Sequence, residues 1–521
     1  MASALRDRWL WLLIALNLAI KAPLLGLNQA EYTDGLIQLG LFENGCPLYM
    51  PLYTMLSLGA GALGLDPVMA GRVVSLGANT LTLIPIFLVA EWLTGSRSAA
   101  RWSVGLYLIS PVPARWALRV MTDSLFSLWW WCAIACLLAA TPRLLRADET
   151  RGPCPYRMMA LAFLFGALAA LTRHAGWVLL PPTLLAFAVL LRRDPLHALR
   201  SGLTLVLWAL PLIWLAVVGG FAGHSVHVEQ RFTWLASVIM LEAYALDWPL
   251  ILGWPIALFA VWGLFRPIGH GSRWWTFISM FALCALGILA LQCLIGSYLF
   301  RYLLPLVGFG VILAGGAFAR QVERRPRSLV PLALLMFGWL GIITGSSLIQ
   351  QRAAWADFRL GAEAMGALSE ESTLCFTNES YGAWPAGDTT KASWWSGRQV
   401  QPLALFRDGQ GSLHQSTDFA AGSLILLSSA YGGTAVEGLF RELMGDANPI
   451  ALNLIERETG QHISWNYDIE VLGQWQSSLV PLLPDLMNGP FHQNPLAIRL
   501  RRSEQTFTTI LLRVRGKRPI P

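Results

Sequence analysis

Charge is what this sequence has least of. Asp, Glu, Lys and Arg make up 13% of its 521 residues, against 55% hydrophobic ones. A water-soluble globule, in which about a quarter of the residues are charged, is excluded. Repeats of fixed period and low-complexity tracts are also missing, which argues against a solenoid array and against a long disordered tail. The seven cysteines show no metal-ligand spacing. Cys132, Cys136, Cys284 and Cys293 lie in apolar runs, where a thiol behaves as a small hydrophobe. Cys154 falls in an arginine-bearing connection, and Cys46 and Cys375 are the pair that an extracytoplasmic disulfide would join.

What the sequence has instead is long apolar runs. Stretches of the roughly 17–25 residues needed to cross about 30 Å of hydrocarbon are read at 9–26, 73–94, 102–118, 120–141, 158–172, 174–191, 201–221, 249–265, 274–295, 302–319 and 328–348. The expected fold is therefore a polytopic α-helical membrane protein of about 11 spans. The net charge of +7 would suit nucleic acid, but the basic residues stand in short clusters between apolar runs, as membrane topology requires. The expected surroundings are lipid, with no nucleic acid.

Arginine placement sets the orientation. With the N-terminus in the cytoplasm, the inner segments hold Arg6, Arg8, Arg97, Arg101, Arg143, Arg146, Arg192, Arg193, Arg266, Arg320, Arg324 and others. The outer segments before residue 350 hold chiefly Arg72, Arg115, Arg119, Arg173, Arg231 and Arg301. This is the positive-inside asymmetry. The first span is expected to stay as an anchor, because Lys21 and Pro23 interrupt it and no small-residue cleavage site precedes Asn28. After Ile349 the composition turns polar. A helical pattern over Asp357–Leu368, β-like runs in "TLCF", "SLILLSS" and "FTTILLRVR", and a helical "AVEGLFRELM" predict a soluble α/β domain over 350–521. Residues 1–349, with an outer loop over 27–72, form the membrane domain. On this topology the soluble domain is extracytoplasmic and the protein sits in the cytoplasmic (inner) membrane.

The outer side then carries acids in a chain short of them. Glu31 and Asp34 stand in "NQAEYTDG" just after the first span, and Asp123 in "RVMTDSLFSLWWW" opens the fourth. Ionisable groups at a membrane edge are costly unless solvated or paired and are functional candidates by default. The plainer readings are that Glu31 and Asp34 sit in a hydrated loop and that Asp123 caps its helix. The loop that follows, with Leu36, Ile37, Leu39, Leu41 and Phe42 alternating with polar or small positions and Pro-Leu-Tyr at 47–49 and 51–53, predicts helices lying in the interface, able to roof a cavity open to lipid.

In order and in predicted side, the acidic loop, "ENGCPLYMPLY", the segment from "DPVMAGRVV" to "LTGSRSAA", "MTDSLFSLWW", "LTRHAGWVLLPP" and "FRYLLPLVGFGVILAG" resemble the GT-C superfamily. More narrowly, they resemble relatives of the dolichyl-phosphate-mannose–protein mannosyltransferases and the lipid A aminoarabinose transferases. The resemblance covers about residues 9–320. It implies inverting transfer of a sugar, a hexose such as mannose, from a polyprenyl-phosphate donor to a protein, lipid or glycan acceptor on the outer face. The family motif usually reads Asp-Glu near "EYTD", whereas here Tyr32 follows the first acid, so either Glu31 or Asp34 can be the base. Ala175 stands where some relatives carry an acid.

The chemistry calls for the same residue types. A carboxylate takes the acceptor proton, which gives Glu31, Asp34 and Asp123 as catalytic candidates. A guanidinium fork grips the carrier phosphate, which gives Arg301 with Tyr302 first, Arg173 with His174 next, and Lys21 third. Arg301 also suits simple snorkelling to headgroups. The acids alone could hold Mg²⁺ or Mn²⁺, but no ligand cluster demands one, so no cofactor is assigned. The competing reading is a transporter or flippase of lipid-linked or small polar substrates. It predicts charges at mid-span and broken helices in matching halves, whereas here the charges gather at the outer rim.

Overall fold

The computed structural model describes residues 6–44, 49–145, 155–218, 248–249, 251–266, 268–269, 271–295, 300–353, 355–379, 390–402, 405–407, 413–415, 419–428, 452–455, 462–465, 467–479 and 505–517. Two compact units emerge. One is built on Met1–Leu27 and Pro47–Ile349, the other on Asn28–Cys46, Gln350–Val480 and Ser503–Pro521. The acidic loop thus folds with the C-terminal residues rather than with the spans that flank it.

The first unit is a multi-pass membrane bundle. Among the described residues the predicted spans fall on helices or tandems of helices, including Arg8–Lys21, Pro67–Thr94, Asp123–Leu145, Pro155–Thr172, Gly271–Ile295, Leu304–Arg324 and Pro326–Gln351. Seven segments among the described residues are long and apolar enough to cross a membrane; Tyr156–Thr172 and Trp254–Phe265 are shorter apolar helices. Local chemistry sets the ends. Asp66 caps Pro67–Thr94 by accepting from the Met69 amide at 3.0 Å, Pro67 fills the first turn, and Gly95 closes the helix at φ 68°, where a residue without Cβ is favoured. The run expected as one span over 102–118 is broken. Arg97–Ile109 ends, Ser110 is extended, and a short helix Pro111–Trp116 follows, because Pro111 disfavours the helical conformation at the residue before it.

Among the described spans Arg301–Arg324, which contains the helix Leu304–Arg324, is the most enclosed, with 94% of its spanning window buried. Its glycines admit the neighbours. Gly308 faces the Trp131 indole, Gly315 the Ser103 backbone and Gly316 the Ile268 side chain. The Trp131 indole N–H donates to the Pro305 carbonyl at 3.0 Å. Small residues at helix contacts are what close packing in lipid requires, since tails are as apolar as the side chains.

The second unit is a small α/β layer, as its β-like runs imply. A five-stranded sheet has the order β2(Val400–Pro402)-β1(Cys375–Thr377)-β5(Leu424–Ser428)-β9(Gln505–Lys517)-β8(Tyr467–Leu479), and two antiparallel pairs stand beside it in the chain, β3(Leu405–Arg407) with β4(Leu413–Gln415) and β6(Leu452–Ile455) with β7(His462–Trp465). β1 runs parallel to β2 and β5; β9 runs antiparallel to both β5 and β8. The helix Ala356–Leu368 covers it through Phe358, Ala362 and Met365, which pack with Cys375, Val400, Leu424, Leu426 and Leu511. Cys375 is a free, buried thiol whose burial pushes its pKa up. Cys46, Cys154, Arg231 and "AVEGLFRELM" lie outside the described residues.

Candidate functional site

In the membrane unit three helix ends bring four of the predicted residues together. Asp123, 1% exposed, opens Asp123–Leu145 and pairs through Oδ1 with a guanidinium nitrogen of Arg173. Arg173 directly precedes the 3-10 helix His174–Leu179, and its Cζ lies 4.4 Å from the centre of the Tyr302 ring. On the same 3-10 turn, Phe300–Leu303, Arg301 sits 5.4 Å from that ring and 5.6 Å from the Trp116 ring. Its Nη1 also approaches the Met121 sulfur at 3.7 Å. Arg115 covers Trp116 at 5.0 Å.

The result is a ladder of alternating cations and aromatic faces: Asp123, Arg173, Tyr302, Arg301, Trp116, Arg115. Aromatic rings support guanidinium planes by cation–π attraction, and a guanidinium binds anions through its N–H edge. The ladder rests on a polar seam. Tyr53 Oη donates to the Gly71 carbonyl at 2.7 Å and lies 3.0 Å from Ser75 Oγ, and Ser75 Oγ donates to the Met121 carbonyl at 3.2 Å. Lys21 reaches the ladder only indirectly. It donates to Asn79 Oδ1 at 2.9 Å, and Asn79 donates to the Pro113 carbonyl at 3.2 Å. His174 is half-buried at the first position of its 3-10 helix.

Glu31 and Asp34 belong to the second unit. Glu31 is fully buried and precedes the helix Thr33–Leu39. Asp34 is half-buried in the first turn of that helix, where the positive end of the helix favours an ionised carboxylate. Leu36, Ile37 and Leu41 of this predicted interfacial stretch are fully buried.

Sequence reasoning left out Arg115 and Trp116, the far end of the ladder, and the buried Arg72 and Arg119. The available signal was "ARWALRV", two arginines inside an otherwise apolar run, where a charge needs a reason. Among the described residues no group of three or more His, Cys, Asp or Glu can hold a metal ion.

Comparison with known proteins gives a fold. No protein-family profile matches the sequence, and no curated protein matches it. Among solved structures, apo ArnT from Cupriavidus metallidurans superposes with a TM-score of 0.55 at 13% identity, over 84% of this chain and 95% of that one. ArnT bound to undecaprenyl phosphate gives 0.49 at 14% identity, over 85% and 96%. The archaeal oligosaccharyltransferase AglB from Archaeoglobus fulgidus gives 0.47 at 10%, over 75% of this chain and 64% of its own.

Proposed function

From the GT-C fold, which this chain shares with ArnT, we propose that it is a membrane sugar transferase acting on a polyprenyl-phosphate donor. The observation that carries this is the ladder. Arg173, Arg301 and Arg115 are held by Tyr302 and Trp116 with one carboxylate, Asp123, among them. A lipid-borne phosphate is the anion that suits fixed guanidinium forks at helix ends in a membrane protein. Asp123 sets the Arg173 fork and, on this reading, helps place the acceptor.

In the reaction, Glu31 or Asp34 takes the proton of an acceptor hydroxyl as its oxygen attacks C1 of the sugar. The bond between C1 and the phosphate oxygen breaks with inversion, and the polyprenyl phosphate leaves with the electron pair. Arginines that hold the phosphate more tightly as its charge grows lower the barrier. The sugar is read as a hexose such as mannose, on family resemblance. The acceptor is a protein, lipid or glycan on the outer face of the cytoplasmic membrane, with the N-terminus inside.

The test is to incubate the purified protein with polyprenyl-phosphate sugars of several types and an extract of acceptors, and to follow the carrier by mass spectrometry. Loss of sugar from the carrier supports the reading. Carrier that crosses a vesicle bilayer with its sugar intact makes the protein a transporter instead.

A further inference from the structure

Only three of the 38 basic residues in the chain are lysines, Lys21, Lys391 and Lys517, and Lys391 is fully buried in the second unit. It stands near the start of the helix Thr390–Ser396. Its Nζ lies 3.2 Å above the Trp355 ring centre and 5.3 Å from that of Phe358. Three carboxylates act on its charge: Glu379, Asp357 and Asp34.

Two of these have structural duties of their own. Glu379 accepts from the backbone amides of Lys391 at 3.2 Å and Ala392 at 2.9 Å, holding the first turn of that helix. Asp357 accepts from Ser477 Oγ at 2.6 Å and Thr509 Oγ1 at 2.7 Å, tying its helix to β8 and β9. The third, Asp34, comes from the acidic loop, whose helix Thr33–Leu39 packs against Thr390–Ser396.

The same loop is tied down again a few residues earlier. The Gln29 amide donates to the Arg352 carbonyl at 2.9 Å, and Arg359 Nη1 donates to the Gln29 carbonyl at 2.6 Å. Arg359 is itself braced by Glu363 at 2.7 Å and by the Trp395 ring at 4.6 Å. Two tethers and a buried cation therefore converge on a short segment that lies more than 300 residues away in sequence.

We propose that Lys391 is the positioning residue for Asp34, and that with Arg359 and the Arg352 carbonyl it makes the C-terminal unit the clamp of the acidic loop. The inference rests on the reading of Asp34 as a candidate base. A compact ammonium suits this place better than a guanidinium, because a single point charge fits between the Trp355 and Phe358 rings while the helix that carries it packs against the helix of Asp34. Burial pushes Lys391 down to about 7, and Glu379, Asp357 and Asp34 pull the other way by favouring its charged form.

The test uses the full chain in nanodiscs with Lys391→Met, an apolar side chain of similar length that suits the Trp355 and Phe358 cage. The first readout is hydrogen exchange in peptides covering 28–44. The clamp predicts exchange faster by about tenfold or more there, with no faster exchange in the rest of the C-terminal unit. The second readout is transfer. The clamp predicts a kcat loss of about 10–100-fold with donor Kd unchanged. It also predicts an acid limb of the kcat–pH profile displaced to higher pH, because an ionised carboxylate has lost its neighbouring cation. Adding Lys391→Met to Asp34→Asn should cost nothing further. Unchanged exchange in 28–44, or faster exchange across the whole unit, overturns the clamp whatever the turnover. If the parent protein transfers no sugar at all, the proposed function falls while the exchange result still decides the clamp.

Discussion

The ion pair between Asp123 and Arg173 can be tested by a double-mutant cycle whose size follows from its surroundings. The Asp123 side chain is 2% exposed and that of Arg173 17%, so neither removal is fully repaired by water. Breaking a buried pair by deleting one partner costs about 3–5 kcal/mol. Asp123→Asn leaves Arg173 on the Tyr302 face with some solvent, which puts the loss near the lower end, about 3 kcal/mol. Arg173→Met is worse, about 4 kcal/mol. It strands a carboxylate whose Oδ1 loses the guanidinium and whose Oδ2 has no hydrogen-bond partner among the described residues. The double variant removes both charges, so it should lose clearly less than the sum, with a coupling of about 2 kcal/mol. The assay is reversible SDS titration in mixed micelles followed by tryptophan fluorescence, comparing midpoints because thermal unfolding of such a protein is not two-state. Additive losses to within about 0.5 kcal/mol would refute the pairing.

Further outcomes follow from the same structure. Gly308→Ala places a methyl group against Trp131, itself fixed by Pro305, and should cost about 1–3 kcal/mol in the same titration, whereas Gly338→Ala, which meets nothing within 4 Å, should cost nothing. Because the folded C-terminal unit holds Lys391 at about 7 against an ordinary 10.5, the unfolded chain binds more protons between those values. Stability of that unit should therefore rise with pH from about 7 upward and be flat just below, and Lys391→Met should abolish the slope in denaturant titrations at several pH values. A cysteine introduced at Ser372 should react with an impermeant maleimide in spheroplasts and one at Ser328 should not; the reverse pattern would invert the topology. Arg301→Ala should weaken donor binding more than Arg301→Lys, and both more than the parent; equal affinities would remove Arg301 from the phosphate site.

Much of this was legible in the sequence because its signals are local. Long apolar runs specify spans, and the helix over Asp357–Leu368 and strands β1, β5 and β9 follow period and residue type. Asp123 and Arg173 were readable one at a time as charges at helix ends, yet their pairing joins residues fifty positions apart that no periodicity links. Arg115 escaped because the run containing it reads as one span, and only the break at Ser110–Pro111 turns its segment into a separate short helix. The fate of the acidic loop was hidden for the same reason. Asn28–Cys46 groups with residues after 350, and one of its ties there is Arg359 donating to the Gln29 carbonyl; in the sequence Arg359 looks like an ordinary surface charge of a soluble domain.

The central claim, that this protein moves a sugar from a polyprenyl phosphate with a loop carboxylate as base, is tested most directly by single-turnover removal of sugar from the carrier. The parent, Glu31→Gln and Asp34→Asn would be compared as folded, membrane-inserted proteins. Loss of a general base typically costs about 10²–10⁴ in rate, so the account predicts that one variant is nearly dead and the other partly active, with the sugar lost from the carrier recovered on an acceptor with inverted configuration. If both variants keep turnover within about threefold of the parent, far less than loss of a base should cost, neither carboxylate takes the proton and the account is wrong at its centre.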